Sequence, residues 1–96
     1  MDTNSLTTLA RTLLEQAHEV SSGRAAHNLH GGRGRRLHQT VIALVRGEKL
    51  KEHENPGEAT LQVIEGRVEL AVIPQQRHSL HAQEDSVVLL SLVNNH

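Results

Sequence analysis

Eight histidines in a chain of 96 residues are the first chemical resource this sequence offers. Imidazole is the commonest metal-binding side chain and titrates near neutrality, so an excess of it points to metal coordination or to a pH-sensitive contact. Spacing narrows the choice. His27 with His30, and His78 with His81, are three residues apart; that separation brings side chains together on a helix but sends them to opposite faces of a strand, and neither stretch reads as helix. Most of the eight are therefore read as scattered surface residues. His53 stands apart because it opens the stretch His53 to Leu70. There Pro56-Gly57 supplies turn chemistry, a strand-like run ends in Glu65-Gly66, and Gly66 reverses the chain into Val68 and Leu70. A candidate ligand is thereby coupled to a turn and two strands.

Composition removes several kinds of chemistry. Cysteine is absent, so there is no thiolate metal site, no cysteine nucleophile and no disulfide framework, a pattern that fits a cytosolic protein. Phe, Tyr and Trp are absent as well, and nothing stacks on a base, a sugar or a flavin ring. Single-stranded nucleic acid and carbohydrate are thus disfavoured as ligands, and the formal charge of −1 gives no field toward DNA or a membrane. No apolar run approaches the roughly 18 to 20 residues needed to span a bilayer, and Met1-Asp2-Thr3-Asn4 lacks the basic start of a secretory signal. The expectation is a soluble cytoplasmic protein with neither a nucleic-acid nor a membrane partner. Arg33-Gly34-Arg35-Arg36 reads as a solvated hairpin turn, since no neighbouring segment extends its charge. Gly31-Gly32-x-Gly34 lacks the lysine and Ser/Thr of a phosphate loop.

The elements that must position His53 follow from periodicity. Ninety-six residues make one domain with one core, and that core is aliphatic. Leu6, Leu9, Ala10, Leu13, Leu14, Ala17 and Val20 form a stripe at helical spacing, predicting an amphipathic helix over residues 5–22 that Asn4 or Ser5 caps and Gly23 ends, within an N-terminal unit of residues 1–23. Residues 24–96 then read as β structure. Ala25 to His30 is a weak strand, and Arg35 to Arg46 a long one with Leu37, Val41, Ala43 and Val45 on one face and His38, Thr40, Ile42 and Leu44 on the other. Both faces become apolar toward Val45, which marks a central strand covered on one side by the core and on the other by the helix or a partner subunit. Residues 47–52 read as a polar connector, Ala71 to Ile73 as a short strand stopped by Pro74, Glu84-Asp85 as a turn, and Ser86 to Val93 as a final apolar strand. Many short strands behind a single helix predict an all-β barrel or sandwich.

This pattern resembles the small single-domain cupins of actinobacterial type, whose fold is an RmlC-like jelly-roll β-barrel. Gly47, five residues and His53 match the start of the family's first motif, and Ala59, six residues and Gly66 match its end in spacing. Pro74 and His78 match the second motif. The resemblance covers about residues 37 to 93 and implies a metal held by two histidines and a glutamate from the first motif and one histidine from the second. Here His53 and His78 stand at two of those positions, Asn55 stands for the other histidine and Ala59 for the glutamate. Glu58 is one residue out of register, and a one-residue slip on a strand changes face unless the turn at Pro56-Gly57 lets the chain bulge. The implied metal ligands are thus His53, His78 and Glu58, with Asn55 and Ala59 lining the pocket and zinc, nickel, iron or manganese as the implied ion.

Such cupins carry a further turn, strand and corner before the strand that ends in Ile-Pro. Those parts need on the order of 12 to 16 residues, and here Leu70 runs directly into Ala71. Either the barrel is pared down with an open edge, which invites pairing with another chain, or a hairpin is omitted between Leu70 and Ala71; the second is the expectation. Functionally the resemblance implies a dimeric binding module holding an unspecified small ligand or a weakly bound divalent metal in an aliphatic barrel mouth. The alternative is a metal-dependent oxygenase or isomerase, and a third reading is a regulatory partner that uses its N-terminal helix. The homodimer rests on Val41 to Val45 and Val87 to Val93, whose apolar faces exceed what one helix covers.

Overall fold

Ala10, Leu13 and Ala17 are buried along one stripe of a helix, α1 (Leu6–Glu19), in a computed structural model that describes residues 5–53, 58–73 and 77–93. Ser5 stands at the N-cap without a side-chain hydrogen bond. The helix is three residues shorter at its C-terminal end than its periodicity predicts. Val20 is already extended, because Gly23, at φ +65°, must accept a hydrogen bond from Val45 N–H at 2.9 Å and start the first strand. A helix continued to Ser22 would carry that carbonyl away from its donor.

Seven strands follow: β1 (Arg24–His30), β2 (Leu37–Leu44), β3 (Lys49–His53), β4 (Glu58–Glu65), β5 (Val68–Ile73), β6 (Arg77–Ala82) and β7 (Ser86–Val93). They form two antiparallel sheets, one in the order β1-β2-β7-β4 and one in the order β3-β6-β5. Among the described residues the sheets do not join, so the expected closed barrel is corrected to a two-sheet arrangement. The reason lies in the lateral edges, where no ladder links β1 to β3 or β4 to β5. The segment expected to be a polar connector also changes. Lys49–His53 is strand β3, because Leu50 stands opposite Leu80 and packs between the sheets despite its charged neighbours.

The helix covers one face of the larger sheet and the smaller sheet covers the other. Ala10, Leu13 and Ala17 pack with Val41, Ala43 and Val87, while Leu44 and Val88 pack with Leu80 and Ala82. The alternation read along β2 therefore holds, with α1 on the Val41 side and the second sheet on the Leu44 side. Val41, Ala43, Leu44, Val87 and Val88 are fully buried within one chain, while Ile42, Val45, Leu89, Leu90, Leu92 and Val93 are half-buried. β5 crosses the Leu70–Ala71 junction as one uninterrupted strand, with Leu70 opposite Leu80 and Ala71 opposite Ser79.

Candidate functional site

Strand direction sorts the functional residues into two ends of the molecule. The connections at residues 45–48, 66–67 and 83–85 lie at one end; the 31–36 loop, the end of β3 and the starts of β4 and β6 lie at the other.

The first end is closed by hydrogen bonds around Asp85 and Ser86. The Ser86 side chain is fully buried. Its Oγ accepts a hydrogen bond from Arg67 N–H at 3.0 Å and lies 2.7 Å from Glu84 O and 3.1 Å from Arg67 O, so the hydroxyl has an acceptor for its own proton. Gly66 fits against this serine with φ +87°; a Cβ there would collide with Asp85 O and Ser86 Oγ. Asp85 Oδ1 accepts from Arg46 N–H at 2.9 Å, and Oδ2 lies 2.7 Å from Nε2 of His18 on α1. The Arg46 N–H bond, followed by the His18 contact, lowers the Asp85 pKa below its ordinary value of 3.8. One carboxylate thus ties the helix to the β2–β3 and β6–β7 turns.

The second end holds the residues picked out by sequence. In the β3–β6 ladder His53 stands directly opposite His78, after a register shift that follows Leu50. His78 also stands opposite Val72 on β5. Two histidines 25 positions apart in the chain are thereby brought to one register position. Glu58 begins β4 opposite Val93, and the β4–β7 register runs without a bulge from Glu58 to Val63. Ala59, opposite Leu92, is exposed and lies two residues from Leu61, which packs between the sheets. The regular register keeps Glu58 out of step with Ala59 and Leu61. Asn55 and Pro74 lie outside the described residues.

His38 reaches this end without having been singled out by sequence. It is half-buried on β2 opposite Leu92, the same residue that Ala59 opposes from the other side. Its Nε2 lies 2.9 Å from Arg35 O, and its ring packs on Gly31, where a Cβ would approach Nδ1 to 2.6 Å. The signal was present in the alternation that puts His38 on the same β2 face as Thr40, Ile42 and Leu44; only its place at the end of that face required the fold. His81 stands opposite Lys49 and Glu69, one position out of step with Leu80. Among the described residues no group of three or more histidines and carboxylates is close enough to hold a metal ion.

No protein-family model matches the sequence, and no curated protein is similar to it at a significant level. Among solved structures, the chain is similar to a conserved protein of unknown function from Streptococcus pyogenes, with 21% identity over 80% of this chain and 79% of that one and a TM-score of 0.68. At that identity the likeness concerns the fold alone, and it establishes a shared compact β-rich architecture. Among the described residues no helix is long and apolar enough to cross a membrane.

Proposed function

We propose that the chain is a small binding module on a pared-down, cupin-like jelly roll, with its ligand site at the end that carries His53 and His78. The nested pairing supports the fold reading: β2 pairs with β7 and β3 with β6, as in a long antiparallel ribbon folded on itself. In a fuller jelly roll two more strands would sit beside β4 and β5, and those are edge strands here. Leu70 on β5 and Val63 on β4 are correspondingly among the most exposed large apolar residues. A homodimer formed through these edges is part of the proposal, and sedimentation equilibrium giving only monomer at high concentration would remove that part.

The observation that carries the site is the direct cross-strand pairing of His53 with His78. Opposed residues in an antiparallel ladder have Cβ atoms roughly 4.5 to 5.5 Å apart, a span that two imidazoles can bridge with one ion. Two imidazoles suit a zinc or nickel ion held loosely, whereas a firm site takes three protein ligands. Ala59 stands where a third would be, and the regular register of β4 argues against Glu58 replacing it. A binding module with a small ligand or a loosely held metal fits this donor set better than a metal-dependent oxygenase or isomerase.

Metal analysis and nickel titration of protein purified without a histidine tag test the reading. Nickel should bind reversibly, be lost on dialysis, and fail to bind His53→Ala or His78→Ala. A stoichiometric ion that survives dialysis would favour the enzyme, and nickel binding unchanged by both substitutions would remove the site.

A further inference from the structure

Among the described residues four strands are sheet edges, β1 and β4 in one sheet and β3 and β5 in the other. An edge is a template for another chain unless a charge, a bulge or a covering contact blunts it. β1 breaks register between Asn28 and His30, and its Arg24 Nη1 donates across to Lys49 O of β3 at 3.3 Å, which ties the two edges on that side. β3 breaks register between Leu50 and His53 and carries Lys49, Lys51 and Glu52. β4 breaks register between Val63 and Glu65 and has a glutamate at each end. β5 has none of these devices: it pairs with β6 without a shift, and Glu69 is its one charge.

The apolar interior is open on the β5 side. Leu50, Leu80 and Leu70 stand in one row across the smaller sheet, and opposed residues of an antiparallel pair share a face. Leu80 is 4% exposed and packs between the sheets, yet Leu70 at the end of the row is 50% exposed. Val63 on β4 stands opposite the fully buried Val88 and is 44% exposed.

Backbone direction sets how a further strand would dock on β5. Gly47 N–H donates to Ala82 O at 2.9 Å and Ala82 N–H donates to Glu48 O at 3.0 Å, so both backbone groups of Ala82 face β3. Gln83 N–H donates the other way, to Arg67 O at 2.9 Å. Alternation from these bonds turns the backbone groups of Glu69, Ala71 and Ile73 toward β6 and those of Val68, Leu70 and Val72 toward the free edge. A twofold axis at Leu70 opposes Leu70 to itself and Val68 to Val72, and gives each of those outward groups a partner. The next axis that keeps the inner faces together, at Ala71, sets Val68 against Pro74, which has no N–H to donate.

We infer that two copies of the chain join β5 to β5 about a twofold at Leu70, making one six-stranded sheet from three strands of each. The leucine row then runs unbroken, Leu50, Leu80 and Leu70 of one copy followed by Leu70, Leu80 and Leu50 of the second. Glu69 meets Ala71 of the second copy instead of a like charge. The inference rests on the homodimer proposed above and names its contact.

The chain contains no cysteine, so single cysteines report the contact without background. Glu69→Cys should be joined into a covalent dimer by a bismaleimide of about 8 Å reach, the span between residues one strand across and two positions along; Gln62→Cys on β4 should not. Leu70→Pro removes an N–H that the β6 ladder does not use, so it should keep the β-sheet circular dichroism and weaken the dimer at least about tenfold in sedimentation equilibrium. Leu70→Lys should weaken it likewise by charging the edge, and it serves should the proline variant fail to fold. Cross-linking of Gln62→Cys in place of Glu69→Cys, or a dimer that the folded Leu70 variants retain, would overturn this contact and leave the homodimer to β4. A parent that stays monomeric at high concentration would remove the homodimer itself and this inference with it.

Discussion

The two ends of this small sandwich are built on opposite terms. At the Asp85–Ser86 end, a buried hydroxyl, a shared carboxylate and a glycine with no room for a Cβ lock three turns and the helix together. At the histidine end the β1–β2 loop is exposed and His53 stands opposite His78. The clasp that joins the turns and the helix thus lies at the end away from the His53–His78 pair. Such a division is what a binding site on a small domain requires, since groups left free to meet a ligand are groups that do not hold the fold.

The comparison can be broken most forcefully at Gly66. A side chain there faces a left-handed backbone costing roughly 1 to 2 kcal/mol and an overpacked contact costing about 1 to 3 kcal/mol, so Gly66→Ala should lower stability by about 3 kcal/mol. Urea unfolding reads this directly, and a loss below about 1 kcal/mol would mean that the turn relaxes freely. Ser86→Ala should cost about 2 kcal/mol, because it leaves Arg67 N–H and Glu84 O without their buried partner. Neither change should alter nickel affinity at the other end. If Ser86→Ala did so, the two ends would be coupled and the division would be wrong.

How far this was readable beforehand differs between the ends for a physical reason. The helix, the two-faced β2 and the apolar β7 announce themselves by periodicity, because burial on one or both faces leaves a repeat in the sequence. β3 did not, since Lys49, Lys51 and Glu52 surround Leu50 in sequence and hide the period of a residue that packs between the sheets. The split into two sheets was also hidden, because closure depends on which edges meet and not on any residue pattern. The His53–His78 pair was legible from motif spacing. The role of His38 was not, because it comes from a loop folding back onto its own strand. The Asp85 clasp, which joins residues 39 and 67 positions distant, left no mark that a local reading could find.

At the histidine end the sharper experiment adds a group. Ala59 is exposed, stands at the spacing where the resembling family carries a glutamate, and shares its strand alternation with the inward Leu61. Ala59→Glu should supply a third ligand and raise nickel or zinc affinity by about tenfold, equivalent to roughly 1.4 kcal/mol. Glu58→Gln should change affinity little, since Glu58 lies on the other alternation of a regular strand. The reverse result, a loss with Glu58→Gln and no gain with Ala59→Glu, would show the strand slipped by one residue.

The smallest effect concerns pH at the locked end. Asp85 has a lowered pKa because its charged form receives the Arg46 N–H and meets His18. A carboxylate depressed in the folded state favours folding fully above its unfolded value near 3.8, and that contribution disappears as the pH falls through the lower folded value. Because both side chains of the ion pair are about half exposed, solvent screening holds the contribution to at most about 1 kcal/mol. Asp85→Asn keeps an acceptor for Arg46 N–H but cannot ionise, so its urea midpoint should fall less steeply than the parent's between neutral pH and pH 3. Parallel pH profiles for the two proteins would show that the clasp works through its hydrogen bonds and not through its charge.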